Sequence, residues 1–417
     1  MIAIVIFVVM AAVLGVMAVM GLAPASFSQV PWPWVAAFAL AFVAMFAGGV
    51  HVGAALAMLA LAAGMVFSDR PFLDFVGQIL WSPSSSFVLV AVPLFLLMGE
   101  IMLRTGLSER LYRSMNVFLN RLPGGLLHTN IAASAVFSAV SGSSVATAAT
   151  MGSVALPYFK DSRYPAHTVL GSLAAGGALG NLIPPGITFI IYGLITDTSV
   201  GDLYLAAAMP SLLVILLFTA VIVASAWRSG DGAVAHRYTW AEKWAAVVDL
   251  LPVLVLVGLV LGTIYGGWAT PTESAALGVA GAMAHGLWER RLSWRQTMDC
   301  LRATATVTSM IGLILMGAYF LNYILASLGL PQFLAKMLTE VPLPAWALML
   351  MIIGFYLALG TFMEGMSMII TTVPLVFPLV KALGYDPVWF GVIVTMLVEI
   401  AMISPPDGTV LYVLQGM

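Results

Sequence analysis

The sequence predicts an all-α polytopic membrane protein made of two inverted repeats, each with a re-entrant helical hairpin and a helix broken at a pair of prolines. Composition is the first observation: 62% of the 417 residues are hydrophobic and 8% are charged, whereas soluble domains carry roughly 25% charged residues. The second is repetition, because Pro184-Pro185 and Pro405-Pro406 interrupt two apolar segments 405 − 184 = 221 residues apart. The third is the placement of Lys and Arg, which gives the two repeats opposite orientations.

Apolar stretches that suit transmembrane helices, about 20 residues long, recur along the chain. Residues 1–33 are predicted to hold an extra N-terminal transmembrane helix rather than a signal peptide, because no basic region leads the apolar run. The other predicted crossings are 34–49, 52–67, 86–103, 203–227, 245–264, 272–288 and 302–328.

Two inverted repeats are predicted at 34–227 and 245–417, joined by a cytoplasmic linker at 228–244. The offset of 221 residues also maps Pro157 onto Pro378 and Tyr164 onto Tyr385. A relic of duplication without functional meaning is the alternative. The parts of the first repeat are the hairpin 128–158, the broken helix 165–195 and the helix 203–227, and those of the second are the hairpin 344–380 and the broken helix 385–417.

The positive charges orient the repeats. If each hairpin enters and leaves on one side of the bilayer, 13 of the 16 Lys and Arg residues share a side, and only Arg70, Lys336 and Lys381 lie opposite. Such an excess marks the cytoplasmic side. The first hairpin then enters from the cytoplasm and the second from outside. Inverted repeats with a site between them near the bilayer midplane are a plan of secondary transporters.

Two amphipathic arms are predicted, at 104–122 and 331–340. The first carries Arg104, Arg110, Arg113 and Arg121 among regularly spaced apolar residues, a pattern suited to the membrane surface. Such arms could join a fixed scaffold to a mobile core. A surface helix that only connects two crossings fits equally well.

The first candidate site combines a hairpin turn with the first Pro-Pro break. Proline lacks a backbone N–H and disfavours helix in the preceding residue, which frees nearby carbonyl oxygens. Hydroxyl and carbonyl oxygens can replace the water around a sodium ion, whereas the alternative is that small residues serve only close helix packing. The candidate sodium-binding and substrate-facing residues are Ser141, Gly142, Ser143, Ser144, Thr147, Gly180, Asn181 and Pro184.

The second candidate site has the same plan around Pro405-Pro406 but adds the carboxylates Glu364 and Asp407. Ionisable groups at membrane depth are costly and face a cavity or a partner. For Glu364 a structural capping role and an ion role are both open. Glu399 and Asp249 carry less information, because either could lie near a bilayer edge. The candidate residues are Gly360, Thr361, Glu364, Gly365, Ser404, Pro405, Asp407 and Gly408.

Several function classes are disfavoured. There is no basic tract for nucleic acid and no phosphate-binding loop for ATP, and the single cysteine, Cys300, excludes a multi-cysteine metal site. No organic cofactor, no transition metal and no catalytic residue is predicted. An intramembrane hydrolase using Ser144, Asp407 or Glu364 is a remote alternative, since no histidine stands at a hairpin tip. A channel is a further alternative function.

Because no Lys or Arg lies in the hairpins at membrane depth, an anionic substrate would depend on helix N-termini, hydroxyls and bound cations.

Several segments closely resemble the large membrane subunit of tripartite ATP-independent periplasmic (TRAP) transporters. The resemblance runs from about residue 34 to the end of the chain. The segments that carry it are SGSSVATAATMGSVALP at 141–157, GSLAAGGALGNLIPPGITFIIYG at 171–193, VPLFLLMGEIMLRTG at 92–106, GWATPTESAA at 267–276 and DPVWFG at 386–391.

The resemblance implies a multi-pass protein of the bacterial inner membrane, with an elevator-type fold, that imports a small organic anion such as a carboxylate or sugar acid. It implies sodium as the coupling ion, bound at the hairpin tips and helix breaks. It also implies two protein partners, a small membrane subunit and a periplasmic substrate-binding protein that sets specificity. A stand-alone sodium/anion symporter of similar architecture is the alternative.

The chain departs from the family pattern in three places. Asp407 stands where relatives usually carry an apolar residue, and Thr409-Val410 replaces a stretch that often includes asparagine. Both changes leave it open which residues bind an ion at the second site, and which ion is bound there. Residues 1 to about 30 look like an additional helix. Finally, few residues follow Pro406, too few for a helix to cross half a bilayer at about 1.5 Å per residue, which favours a truncated chain.

Overall fold

The computed structural model describes most of the chain from residue 40 onward. The predicted N-terminal helix, the predicted second arm at 331–340 and Asp407 lie outside the described residues. Within the part that is described, the chain is helical and has no β-strand. The described residues are 40–41, 44–45, 48–67, 72–160, 162, 164–229, 236–329, 343–406 and 408–417.

The helices are numbered in chain order. They are α1 (Val52–Phe67), α2 (Val76–Ser84), α3 (Ala91–Arg104), α4 (Leu107–Leu119), α5 (Leu126–Ser141), α6 (Ser144–Phe159), α7 (Ala166–Gly177), α8 (Ile187–Thr196), α9 (Val200–Ser229), α10 (Trp240–Tyr265), α11 (Pro271–Trp288), α12 (Trp294–Ser327), α13 (Ala345–Leu359), α14 (Gly365–Ala382), α15 (Pro387–Met402) and α16 (Thr409–Gln415). Short 3-10 turns at Phe72–Phe75 and Phe87–Val90 precede α2 and α3.

Several helices are long and apolar enough to cross a membrane; four of them overlap predicted crossings, whereas Gly365–Ala382 falls in the segment predicted as the second hairpin. Five of them meet this condition by length and composition among the described residues. Proline inside a spanning helix, such as Pro210 in α9 and Pro252 in α10, is tolerated because neighbouring groups satisfy the freed backbone. The spanning segments are Phe87–Arg104, Val200–Arg228, Trp240–Tyr265, Trp294–Ser327 and Gly365–Ala382.

Contacts divide the chain into two compact units, of which the first consists of Met1–Ser86, Val307–Ile352 and Met366–Pro387. Its described core joins α1 to the later part of α12, where the rings of Phe72 and Phe320 lie 6.2 Å apart. Gly53 and Gly317 let the two backbones touch, since a Cβ at Gly317 would collide with the Gly53 carbonyl. The sequence did not predict α2, a nine-residue helix too short to cross a bilayer.

The second unit consists of Phe87–Thr306, Ile353–Gly365 and Val388–Met417. It contains the first helical hairpin, α5 and α6, whose turn falls at residues 142–143, and the first broken helix, α7 and α8, interrupted at 178–186. The second break, between α15 and α16, falls at 403–408. Both helix breaks therefore occur at the Pro-Pro pairs, as predicted, and both pairs are joined by cis peptide bonds. The domain boundaries of the inverted repeats stay a prediction.

Helix α4, which we call the arm helix, lies within the segment 104–122 that was predicted as the first arm. It packs against α5 and α10 and buries Leu107, Leu111 and Tyr112. Its basic side chains lie on another face, where Arg110 donates two hydrogen bonds of 2.5 and 2.6 Å to the Glu289 carboxylate. The amphipathic pattern thus corresponds to one buried and one charged face.

Candidate functional site

The tip of the first hairpin docks onto the first helix break. Gly142 ends α5 with a φ of 60°, in the left-handed region that glycine adopts at little cost. Its carbonyl accepts a hydrogen bond of 3.0 Å from the N–H of Ile187. A Cβ at Gly142 would lie 2.5 Å from the Pro185 carbonyl oxygen. Only glycine therefore fits this turn against the break.

A second glycine contact brings the break close to the start of α6. A Cβ at Gly180 would collide with the backbone of Ser143 and Ser144. Every residue from 181 to 190 is buried. Because Pro184 and Pro185 have no N–H, the carbonyls of Gly180 and Asn181 lack the helical donor four residues further on. The first break thus places polar backbone inside the protein, next to the hairpin tip.

Ser144, Asn181 and Glu399 form a buried hydrogen-bonded cluster at this contact. The Ser144 hydroxyl lies 2.8 and 3.0 Å from the two carboxylate oxygens of Glu399 and donates to that carboxylate. The Asn181 N–H lies 3.1 Å from Glu399 Oε1 and 3.0 Å from Ser144 Oγ. The Asn181 side-chain amide also donates to Ser144 Oγ, at 3.0 Å. We call these three residues the Ser-Asn-Glu cluster.

Sequence reasoning undervalued Glu399. It treated Glu399 and Asp249 alike, as acids near a bilayer edge, but only 5% of Glu399 is exposed. Asp249 instead pairs with Arg113 at 2.8 Å, and its side chain is 29% exposed. The 221-residue offset between the repeats could have pointed to Glu399. It pairs Asn181 with Met402 (402 − 181 = 221), and Glu399 lies three residues before Met402 on the same helix, which puts both on one helical face.

The other hydroxyls of the first tip bond within the hairpin. Ser141 Oγ lies 2.8 Å from Thr147 Oγ1. Ser143 caps α6, with its Oγ accepting from the Ala146 N–H at 3.4 Å. Of the predicted residues in the first repeat, the structure thus brings Ser144 and Asn181 into direct side-chain contact, and Ser141, Ser143 and Thr147 stabilise the turn beside them.

The second hairpin tip packs on α15 through small residues. A Cβ at Gly360 would lie 2.7 Å from Ala401 Cβ, and one at Gly365 would lie 2.5 Å from Val398 Cγ1. The Thr361 hydroxyl donates to the carbonyl of Ala358, three residues earlier, at 2.7 Å. Glu364 is half-buried. The second tip thus meets α15 through apolar contacts at Gly360 and Gly365.

The second break is more open than the first. Pro405 and Pro406 are exposed. The Ser404 hydroxyl donates to the Ile400 carbonyl at 2.6 Å, and the Gly408 N–H donates to the Ser404 carbonyl at 2.9 Å. These predicted residues bond locally, whereas the first break is enclosed. Asp407, the other carboxylate predicted for this site, lies outside the described residues.

Residues related by the offset meet beside the Ser-Asn-Glu cluster. The Asn181 amide nitrogen lies 3.7 Å from the sulfur of Met402, its counterpart 221 residues later. The counterpart of Ser144 is Gly365 (144 + 221), and a Cβ at Gly365 would lie 3.5 Å from Met402 Cγ. The serine–asparagine contact of the first repeat is thus matched by a glycine–methionine contact in the second. The second repeat supplies the carboxylate of Glu399 instead.

The arrangement offers hydroxyl, amide and carboxylate oxygens, together with backbone carbonyls at a helix break. Hard cations prefer such oxygen ligands. In the described part of the chain, no three His, Cys, Asp or Glu side chains are grouped as they would be to hold a metal ion. Ser144, Asn181 and Glu399 thus bring hard oxygen atoms together beside the first break.

Comparison with known proteins gives consistent matches. The family model for the tripartite ATP-independent periplasmic transporter, DctM component, matches residues 39–417. The isethionate TRAP transporter permease protein DctMQ of Oleidesulfovibrio alaskensis is 33% identical, over 88% of this chain and 58% of that protein. The sialic acid TRAP transporter large permease protein SiaM of Vibrio cholerae is 31% identical, over 88% of this chain and 85% of that protein.

One further relative and one solved structure complete the comparison. The C4-dicarboxylate TRAP transporter large permease protein DctM of Pseudomonas aeruginosa is 34% identical, over 80% of this chain and 78% of that protein. The crystal structure of the Alcanivorax borkumensis YdaH transporter superposes with a TM-score of 0.59 at 17% identity, over 91% of this chain and 94% of that one. At that identity the likeness concerns the fold alone.

Proposed function

Because the chain belongs to the tripartite ATP-independent periplasmic transporter family as its DctM component, we propose that it imports a small organic anion by coupling to sodium. Family membership confirms the prediction of a multi-pass protein of the bacterial inner membrane that is not an enzyme. It also disfavours the intramembrane hydrolase considered from the sequence. Which anion is carried and which ion drives it belong to the proposal.

The names of the relatives support an organic anion as the cargo. They mention isethionate, sialic acid, C4-dicarboxylate and 2,3-diketo-L-gulonate, all of which are organic acids or their anions. They differ in size and in acid group. We therefore propose the class and not one member, and we propose that a periplasmic binding protein selects the solute.

Two partners are part of the proposal. The relatives are called large permease proteins, which implies a smaller membrane subunit, and the family name includes a periplasmic component. The DctMQ relative is longer than this chain, which spans 58% of it. We propose that this chain works with a small membrane subunit in the same bilayer and with a soluble substrate-binding protein in the periplasm.

The Ser-Asn-Glu cluster is the observation that carries the ion-coupling proposal. A carboxylate buried away from water is unfavourable unless partners or a cation offset its charge. Glu399 lies beside a helix break whose proline residues leave carbonyls without helical donors. Unwound carbonyls of broken helices coordinate sodium in other secondary transporters. We propose that the coupling ion binds here, with Ser144 Oγ as a ligand and Glu399 supplying negative charge.

The contacts of α15 with both hairpin tips support an elevator motion. The same helix contacts the second tip through Val398 and Ala401 and the first tip through Glu399. Both tips therefore pack on one rigid element. We propose that the first hairpin, the tip of the second hairpin and the helix breaks, which all belong to the second unit, move together, so that ion binding at the first tip also affects the second.

Reconstitution tests the transport proposal. The chain is placed in liposomes alone, with a small membrane subunit, and with both that subunit and a binding protein loaded with an organic acid. Uptake is expected only with all partners and an inward sodium gradient. Uptake by the chain alone would support the stand-alone symporter instead, and flux that neither saturates nor needs sodium would support a channel.

A paired substitution tests the site. Ser144→Ala removes a hydroxyl next to the buried carboxylate, whereas Ser153→Ala removes an exposed hydroxyl of the same helix that bonds only to the Thr150 carbonyl. We expect Ser144→Ala to raise the sodium concentration for half-maximal uptake roughly tenfold, since a hydrogen bond to a charged group contributes about 1.5–3 kcal/mol. Equal sodium dependence in both variants would argue against an ion site at Ser144.

A further inference from the structure

A cleft separates the end of the arm helix α4 from the start of α10. Its volume is about 410 Å³, within the range of small-molecule sites. Two basic side chains, Arg121 and Lys243, line it together with the aromatic residues Phe118, Trp240 and Trp244. Val117 and Val247 complete the wall. We call this the arm cleft.

The arm cleft carries positive charge without an acid among its lining residues. The two acids nearest in sequence on α10 are occupied: Asp249 pairs with Arg113 at 2.8 Å, and Glu242 accepts from the backbone and hydroxyl of Thr239 at 2.6 and 2.8 Å. Lys243 Nζ lies 5.1 Å from the centre of the Trp240 ring. Two cations and an aromatic wall therefore face an open volume.

The position of the arm cleft matches the cytoplasmic membrane interface. The positive-inside pattern puts the α4 to α5 turn and the start of α10 on the cytoplasmic side. Tryptophan collects at membrane interfaces, where its ring meets the headgroups. Exposed tryptophans occur at the predicted cytoplasmic ends of α9, α10, α11 and α12, namely Trp227, Trp240, Trp244, Trp288 and Trp294.

We propose that the arm cleft binds one anionic phospholipid of the inner leaflet. The phosphate lies between Arg121 and Lys243, and the upper acyl chains lie along Phe118, Trp244 and Val247. Basic side chains next to the membrane attract anionic lipids. The volume suits a headgroup, and the exposed apolar side chains of α10 continue the path for the acyl chains. The bound lipid ties the arm to α10 and does not depend on the solute or the coupling ion.

Lipid retention tests the site. The full chain is incorporated into vesicles of phosphatidylcholine and phosphatidylglycerol, extracted in mild detergent, and its bound lipids are counted by native mass spectrometry. The charge-removing variant is Arg121→Gln with Lys243→Gln. The matched control is Arg295→Gln with Arg302→Gln, which removes two exposed cytoplasmic charges outside the cleft. Arg121→Lys with Lys243→Arg keeps the charge.

We expect the wild type, the control and the charge-keeping variant to retain one more phosphatidylglycerol than the charge-removing variant does. The preference for phosphatidylglycerol over phosphatidylcholine should fall roughly fivefold for each charge removed. If the charge-removing variant does not fold, Lys243→Gln alone gives the same comparison, with an expected fall in preference of roughly fivefold.

Four outcomes would overturn the proposal. The charge-removing variant could keep the lipid, or the control could lose it equally, and either result would mean that the cleft is not the site. Inorganic phosphate or glycerol phosphate could displace the lipid at low concentration, which would assign the cleft to a soluble phosphate. Retention that disappears when the small membrane subunit is bound would assign the cleft to a protein partner.

Discussion

At the scale of single residues, Glu399 is the centre of the candidate site. Its carboxylate accepts from the Ser144 hydroxyl and the Asn181 N–H, so it fixes the hairpin tip and the helix break in one geometry. Removing an acceptor leaves buried donors without partners, which costs about 1–3 kcal/mol for each group. Glu399 thus positions the proposed ion ligands as well as supplying charge.

We expect Glu399→Ala to abolish transport and to lower the unfolding free energy of the purified protein by about 1–3 kcal/mol, because the buried Ser144 hydroxyl loses its acceptor, whereas the Asn181 N–H keeps Ser144 Oγ. Glu399→Gln keeps an acceptor oxygen but not the charge. It should preserve most of the stability and still weaken the response of uptake to sodium. Thermal unfolding in detergent and sodium titration of uptake measure the two effects.

The control lies on the same helix. Thr395 is buried, and its hydroxyl bonds to the Gly391 carbonyl within α15, so Thr395→Val should change neither the sodium response nor the stability by more than about 1 kcal/mol. If Glu399→Gln had the same sodium response as Thr395→Val, the charge of Glu399 would have no part in coupling.

Gly142 provides a second residue-scale prediction. Gly142→Ala combines a left-handed backbone, which costs about 1–2 kcal/mol for an L-residue, with a clash against the Pro185 carbonyl. Gly171→Ala is the matched control, because Gly171 lies inside α7 with open space around it and alanine favours helix by about 1 kcal/mol. We expect the first variant to lose stability and uptake and the second to keep both. Melting temperatures that did not separate them would refute the docked tip.

At the scale of elements, the arm helix α4 is held by charge pairs of different burial. The side chains of Arg110 and Glu289 are 21% and 20% exposed, whereas Arg113, paired with Asp249, is 58% exposed. Exposed pairs contribute about 0–1 kcal/mol because water screens them. The Arg110 pair, which is bidentate and less exposed, is therefore the firmer link between α4 and the turn after α11.

Arg110→Gln should lower the unfolding free energy by roughly 1–3 kcal/mol, because Glu289 loses two charge-assisted hydrogen bonds. Arg113→Gln should change it by less than about 1 kcal/mol. Exchanging the charges, Arg110→Glu with Glu289→Arg, should restore part of the loss. Thermal unfolding of the three variants checks this order, and equal effects at Arg110 and Arg113 would contradict it.

At the scale of the whole molecule, the opposite entry of the two hairpins remains a prediction from charge. Two exposed lysines can be used to test on which side of the membrane each hairpin ends. Lys160 follows α6, and Lys381 lies near the end of α14. The inverted threading places Lys160 on the cytoplasmic side and Lys381 on the outer side.

Cysteine labelling tests this threading. In a Cys300→Ser background, Lys160→Cys should react with a membrane-impermeant maleimide only in inside-out vesicles, and Lys381→Cys only in right-side-out vesicles or intact spheroplasts. The Cys300→Ser chain without an added cysteine is the control for background labelling, because Cys300 is the single cysteine of the sequence. In the wild type Cys300 is buried. Reaction of both positions from one face would exclude inverted hairpins.

Local features of the chain were enough to predict the class of the protein and the places where its helices break. Hydrophobic run length and the missing N–H of proline are local properties, so they predicted four of the five spanning helices among the described residues and the breaks at Pro184-Pro185 and Pro405-Pro406. The short helix α2 escaped prediction because a nine-residue segment lacks a membrane-length pattern.

Which polar residues contact one another depends on the packing of distant helices. Ser144 and Glu399 are 255 residues apart in the chain, and a single acid in an apolar run has the same local pattern whether it lies at a bilayer edge or in the interior. Helix packing places Glu399, from the second repeat, against the first hairpin tip. The second tip instead packs on α15 through Gly360 and Gly365. The two Pro-Pro breaks are therefore alike in sequence but unequal in surroundings, because burial and partners depend on long-range packing rather than on the local chain.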